Sequence, residues 1–214
     1  VAKSQESVQQ AHRLEGDVGR IAEYYGDWAA SYDADLSESG YQGPRNIGEL
    51  YAALTGSYRW LQREGTTVLD AGCGTGLAGV VLREKGATVD GFDLSGAMVE
   101  QARTTGAYRA LAGGVDLNAG LVEYEDNSYD VTASCGVFTL GHVSPEGLRS
   151  LLRVTAPGGL VLVSTFRDYL DGTDFVAVTE RLAAEGELQV VERRRDLAYT
   201  SEGPADYWAF EVLR

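Results

Sequence analysis

Two cysteines, two histidines, one methionine and four prolines are all that the 214 residues contain of those types, and each shortage removes a class of protein. Cys73 and Cys135 stand alone, with no C-x-x-C pair and no histidine cluster, so neither a disulfide framework nor a metal site is expected. Both read as small packing residues lining a cofactor floor. Cationic side chains are scarce as well: 18 Lys and Arg face 32 Asp and Glu, for a net charge of −14. A phosphate-rich partner would meet a repulsive field, which argues against nucleic acid and against an anionic membrane. The one basic run, residues 193–195, reads as the solvated face of an edge strand. No apolar run approaches the length of a membrane span and no leader-like apolar core is present, so a cytoplasmic protein is expected. There is no internal repeat and no low-complexity linker.

Glycine is plentiful, at 27 residues, and its placement carries the most information. Residues 67–76, TVLDAGCGTG, read as a buried strand that stops at Asp70 and passes into a turn whose Gly72, Gly74 and Gly76 let backbone approach a ligand closely. The apolar segment 77–84 continues as a helix, so free N–H groups and a helix N-terminus would face an anionic group. Read from Gly74, GTGLAG also satisfies the dinucleotide pattern G-x-G-x-x-G, which leaves NAD or FAD open. Three features favour S-adenosylmethionine instead. Asp70, just ahead of the glycines, suits an ammonium group and would repel a pyrophosphate. Asp93 ends the next strand, TVDGF, where a carboxylate accepts hydrogen bonds from ribose hydroxyls. Residues 156–159, APGG, reset the chain before the apolar strand LVLVSTF. Each alone is ordinary turn chemistry; their order and spacing are not.

Along these segments the chain resembles the class I S-adenosylmethionine-dependent methyltransferases, through VLDAGCGTG, GFDLSGAMVEQAR, NSYDVTASCGVF and LRVTAPGGLVLV. More narrowly, VGRIAEYYGDWAASYD, GYQGP and GVFTLGHVSPEGL are similar to the small Williams-Beuren region-type methyltransferases and their bacterial counterparts. One departure is the glycine-rich, weakly patterned stretch 108–117. The resemblance implies a Rossmann-like α/β fold, a mostly parallel seven-stranded sheet with an antiparallel edge strand and helices on both faces. The alternation of strands and helices points the same way, and the length suits one such domain with an extra segment. Residues 1–64 are expected to form a helical, substrate-covering segment, and 65–214 the cofactor-binding domain. Within the former, the leader before about Glu15 is polar, an amphipathic helix is expected over 18–30 and a second over 45–64. Near the end, LQVVERRRDLAYT and ADYWAFEVLR read as two strands joined across a Gly-Pro turn.

Ligands in such sheets bind at the carboxyl ends of the strands, which sets the expected roles. Asp70 and the backbone around Gly72, Cys73, Gly74 and Gly76 would hold the methionine moiety, Asp93 the ribose, Leu94 and Met98 one face of the adenine. Asp116 and Leu117 follow in the pattern as adenine contacts. Cys135 and Gly136 would end the fourth strand beside the sulfonium, with Asp130 a structural residue at its start. Of the histidines, His12 lies in the polar leader, whereas His142 follows the fourth strand. It is the candidate base, or else a cap of the helix near Pro145 or a cofactor contact. Tyr24, Tyr25, Trp28, Tyr32 and Tyr41 are candidates for an aromatic lid against substrate and sulfonium. Trp28 reads better as an anchor, and Tyr32 as a cofactor or substrate contact. Arg45 and Arg167 are candidates to pair with an acidic substrate group, or are surface ion pairs. The implied activity is methyl transfer to a small molecule, oxygen first, with nitrogen or carbon open. The alternatives are a methyltransferase-fold protein that binds the cofactor without transferring methyl, and an NAD-dependent oxidoreductase.

Overall fold

The computed structural model describes residues 17–62, 65–201 and 203–214. The polar leader, His12 included, lies outside the described residues. Three helices come first: α1 (Val18–Trp28), α2 (Tyr32–Glu38) and α3 (Gly43–Leu54). Asp17 caps α1 by accepting from the Arg20 amide at 3.0 Å, as a short acidic side chain does at an N-terminus. Pro44 stands in the first turn of α3, where its missing N–H costs nothing. The helix expected over 45–64 is therefore shorter and begins earlier. It stops at Leu54 because Thr55 turns its hydroxyl back onto the Ala52 carbonyl, at 2.6 Å, and Gly56 follows. A 3₁₀ turn, Arg59–Gln62, then leads to the sheet.

Strand and helix now alternate: β1 (Thr67–Ala71), α4 (Leu77–Glu84), β2 (Thr88–Asp93), α5 (Gly96–Thr104), β3 (Tyr108–Gly113), β4 (Tyr129–Phe138), α6 (Gly147–Val154) and β5 (Thr155–Phe166). The short α7 (Arg167–Gly172) and α8 (Phe175–Ala184) precede the hairpin of β6 (Leu188–Thr200) and β7 (Gly203–Val212). The seven strands lie in the order β3-β2-β1-β4-β5-β7-β6. Neighbouring pairs from β3 to β5 are parallel; β7 runs antiparallel to both β5 and β6, between which it is inserted. The fold is the expected Rossmann-like one, its antiparallel element being this edge pair.

Side-chain alternation along the strands divides the core between two faces. Leu69, Val161, Val163, Trp208 and Phe210 pack with Leu148, Leu151, Phe175 and Leu182 of α6 and α8. Val68, Leu160, Leu162, Tyr207 and Ala209 pack with Ile47, Leu50, Tyr51 and Leu82 of α3 and α4. Thus α3 is a core helix on the sheet, whereas α1 and α2 stand at the strand ends. Asp130 anchors the start of β4, accepting from the Thr67 amide and hydroxyl at 2.9 and 3.0 Å.

Two irregularities interrupt the pairing of β4 with β5. The Pro157-Gly158-Gly159 segment lies inside β5 and not ahead of it: Tyr129 pairs with Thr155 and Val131 with Leu160, so β5 bulges against β4. A Cβ on Gly159 would sit 2.5 Å from the Asp130 carbonyl, which is why a side chain is missing there. At the other end, Ser134 pairs with Val163 and Phe138 with Thr165, so Cys135, Gly136 and Val137 bulge out of β4. Gly136 takes a φ of +80° and donates its amide to Ser164 Oγ at 2.8 Å. Bulges of this kind re-aim side chains at strand ends.

Candidate functional site

A cleft of about 1000 Å³, counted out to its open mouth, lies at the carboxyl ends of β1, β2 and β4. This is where the strand order reverses, β1 having β2 on one side and β4 on the other. Its floor is the turn after β1. Gly72 and Gly74 have φ of +74° and +54° and line the cleft. A Cβ on Gly72 would meet Val137 at 2.4 Å, while one on Gly74 would meet nothing within 4 Å, so a side chain at Gly74 would project into ligand space.

Asp93, at the end of β2, forms the adjoining wall. One carboxylate oxygen accepts from the Gly74 amide and the other from the Ser95 amide, each at 2.8 Å. The side chain is thereby locked with lone pairs to spare for hydroxyl groups. Burial pushes its pKa up, against the Ser95, Gly74 and Leu94 amides, which lower it. Leu94, Met98, Asp116 and Leu117 complete this side. Asp116 accepts from the Asn118 amide at 2.9 Å.

Asp70 is placed differently from its expected role. It is 1% exposed, is not part of the cleft wall, and accepts from the Tyr108 hydroxyl at 2.7 Å. The Tyr108 ring fills a slot left by missing side chains: Cβ atoms on Gly76, Gly79 and Gly91 would come within 3.0, 2.2 and 2.7 Å of it. Gly76 likewise stands behind the wall, as the residue before α4, at φ +97°. The other Asp70 oxygen is buried with no hydrogen-bond partner. Burial raises the carboxyl to about 7, with Asp93 adding and the Tyr108 hydroxyl and Gly79 amide opposing. The resulting floor is one whose electrostatics a cation would satisfy.

Opposite the glycine turn, the β4 bulge presents Cys135, Gly136 and Val137, and the loop beyond it presents His142 and Val143. His142 is not the cap of α6, which begins at Gly147 after Glu146. Its Nδ1 lies 3.0 Å from both the Thr139 hydroxyl and the Leu140 carbonyl, and its Nε2 lies 3.0 Å from the Tyr25 hydroxyl. Tyr25, Tyr32 and Tyr41 line the cleft from the α1 to α3 region. The Tyr41 hydroxyl lies 3.4 Å from Cys135 Sγ, and its ring packs edge-on against Tyr199 of β6. Burial pushes the Cys135 thiol up to about 12 and raises the Tyr25, Tyr32 and Tyr41 phenols, so all four are neutral at ordinary pH.

Besides Asp70 and Gly76, four expected substrate contacts are not at the cleft. Trp28 is buried as an anchor, donating from its indole to Asp35 at 2.6 Å, and Tyr24 packs against Tyr25 and Trp28. Arg45 is exposed and pairs with Glu49 one turn along α3, at 2.8 Å. Arg167 pairs with Asp196 of β6 and with the buried Asp206 of β7. Both arginines are ion-paired side chains outside the cleft lining, Arg45 on the exposed face of α3 and Arg167 drawn to the acidic pair Asp196 and Asp206. Conversely, Thr75, Ser95 and Asn118 join the site without having been singled out by the sequence. Thr75 Oγ1 donates to Asp33 Oδ1 at 2.5 Å, tying α2 to the glycine turn. Ser95 caps α5. Asn118 donates to the His142 carbonyl and accepts from the Ser144 amide, each at 3.0 Å. Only the Ser95 cap carries a local signal, a serine before a helical run; the others are contacts between distant segments.

Residues 69–163 match the family model described as a methyltransferase domain. The human methyltransferase-like protein 27 is 32% identical over 160 residues, 74% of this chain and 62% of that protein. The malonyl-[acyl-carrier protein] O-methyltransferase of Serratia marcescens is 33% identical over 146 residues, 68% of this chain and 52% of its own length. The chain thus spans about half to three-fifths of these relatives. Among solved structures, magnesium protoporphyrin IX methyltransferase from Synechocystis PCC 6803 with bound S-adenosylmethionine superposes with a TM-score of 0.61 at 17% identity, covering 80% of this chain and 79% of that one. The present residues fit that cofactor on their own geometry: the open space at Gly74, the fixed carboxylate of Asp93, and the buried unpartnered oxygen of Asp70 below the turn.

Proposed function

The chain belongs to the class I S-adenosylmethionine-dependent methyltransferases, and on that premise we propose that it methylates an oxygen of a small-molecule acceptor. When bound, S-adenosylmethionine supplies a methyl group already activated by its sulfonium. The protein's task is then to hold both partners in line and exclude water, and such positioning contributes roughly 7 to 11 kcal/mol. Asp93 and the Gly72–Gly74 turn hold the nucleoside end, with Leu94, Met98, Asp116 and Leu117 around the base. Cys135 and Gly136, on the β4 bulge, face the reacting end. Helices α1 and α2 act as the cover, fixed to the floor through Asp33 and Thr75.

The observation that carries the oxygen assignment is the geometry of His142. The Leu140 carbonyl can only accept, so Nδ1 bears the proton and Nε2 carries the lone pair, which meets the Tyr25 hydroxyl at the cleft wall. An imidazole so oriented removes a proton from an acceptor hydroxyl, a contribution of about 10²–10⁴-fold. The test is S-adenosylhomocysteine formation from a panel of phenols, acids and amines by wild type and His142→Asn. The variant is expected to keep cofactor affinity and lose turnover. Tight cofactor binding with no turnover on any acceptor would favour a binding-only protein instead.

A further inference from the structure

We propose that the acceptor end of the cleft is built for an uncharged aromatic hydroxyl, a phenol, and excludes carboxylates. The inference rests on the methyl-transfer reading above and goes on to the substrate class. Among the described residues, the cleft wall carries no Lys or Arg; its charged side chains are Asp93 and Asp116. The two arginines expected to pair with an acidic substrate group, Arg45 and Arg167, are held in ion pairs elsewhere. A carboxylate entering this end would leave water among neutral tyrosine and cysteine side chains with no Lys or Arg of the described wall to meet it, which is unfavourable wherever water is excluded.

The groups that do face this end are neutral. Tyr25, Tyr32 and Tyr41 offer phenol hydroxyls and aromatic faces, and Cys135 a thiol. Such walls stack on a flat ring and exchange hydrogen bonds with a hydroxyl. The decisive contact is between Tyr25 and His142. With Nδ1 protonated against the Leu140 carbonyl, the Tyr25 hydroxyl must donate to Nε2, at 3.0 Å. A phenol thus already occupies the position an acceptor would take on the base, and the site shows by its own side chain which functional group that position suits. On replacing Tyr25 there, the acceptor hydroxyl gives its proton to Nε2. Its oxygen forms the new O–CH₃ bond as the C–S bond breaks, with the electron pair staying on sulfur to give neutral S-adenosylhomocysteine. A carboxylate brings no proton for Nε2 to take.

The test uses p-cresol and p-toluate, which share a ring and methyl and differ in hydroxyl against carboxylate. Each is titrated into the whole chain saturated with S-adenosylhomocysteine, and the His142 ring signals, assigned by their loss in His142→Asn, are followed by NMR. Saturable shifts with p-cresol, and affinity for p-toluate weaker by at least about tenfold, are expected. Equal or tighter binding of p-toluate, or no effect of p-cresol on His142, would overturn the proposal. Failure of the parent reading looks different: p-cresol would bind at His142 but no acceptor would yield S-adenosylhomocysteine from S-adenosylmethionine.

Discussion

The Tyr108 hydroxyl donates to Asp70 Oδ2 at 2.7 Å from a ring seated where Gly76, Gly79 and Gly91 have no side chains. Three glycines from β1's turn, α4 and β2 are thus spent on one aromatic ring, and that ring holds the carboxylate beneath the ligand floor. At an ordinary helical site, Gly→Ala would stabilise by about 1 kcal/mol. Gly79→Ala should do the reverse, because its Cβ would lie 2.2 Å from the Tyr108 ring and hydroxyl. A net loss of about 1 to 3 kcal/mol in denaturant unfolding is expected; a gain would mean that the slot is not occupied as described.

The raised Asp70 carboxyl makes stability depend on pH. Its folded pKa is about 7 against an ordinary 3.8, so the folded form prefers the protonated group. The contribution is full below the unfolded value and is lost as pH rises from about 4 towards 7 and beyond. Asp70→Asn keeps an acceptor for Tyr108 but cannot ionise. Relative to wild type, the cofactor-free variant should therefore gain stability between pH 5 and pH 8. An unfolding midpoint difference that is constant over that range would contradict the assignment.

The two arginines separate stability from activity. Arg45→Ala should change neither, within about 0.5 kcal/mol, since its only described ion pair is the exposed one with Glu49. Arg167→Ala removes a partner from the fully buried Asp206, which keeps Arg193 at 2.7 Å; a loss of about 1 to 2 kcal/mol is expected. Steady-state KM for the acceptor should be unchanged in both, and a large rise in KM with either would return that arginine to the site.

Thr75 and Asp33 fasten the cover to the floor. Thr75→Val removes the 2.5 Å hydrogen bond at nearly constant volume, and Thr75→Ser restores the donor. Release of S-adenosylhomocysteine, followed by stopped-flow fluorescence, should accelerate by about 3- to 10-fold in the valine variant, the worth of one ordinary hydrogen bond, and return towards wild type in the serine variant. Equal rates in all three proteins would mean that α2 does not retain the ligand.

Local pattern made most of the frame legible in the sequence. The β1 strand, its glycine turn, helix α4 and β2 with Asp93 follow one another in the chain, so spacing alone places them together; His142 follows from its position beyond β4, and Tyr25 and Tyr41 from the aromatic N-terminal segment. What spacing could not supply was direction. Arg45 and Arg167 carry the right charge, yet the helix face and the partner Asp206 turn them away. Asp70 has the right position but the wrong exposure, because its partner Tyr108 comes from a strand 38 residues later. The β4 bulge, which aims Cys135 and Gly136, depends on pairing with β5 and leaves no mark in β4 itself beyond one glycine.

The most direct measurement is equilibrium binding of S-adenosylmethionine to wild type and Asp93→Ala, with NAD as the competing ligand class. Asp93 presents a fixed carboxylate with its loop amides already satisfied, and a charge-assisted hydrogen bond contributes about 1.5 to 3 kcal/mol. Wild type is therefore expected to bind S-adenosylmethionine and not NAD, and Asp93→Ala to bind it about 10- to 150-fold more weakly. Unchanged affinity in the variant, or tight binding of NAD by the wild type, would contradict the account.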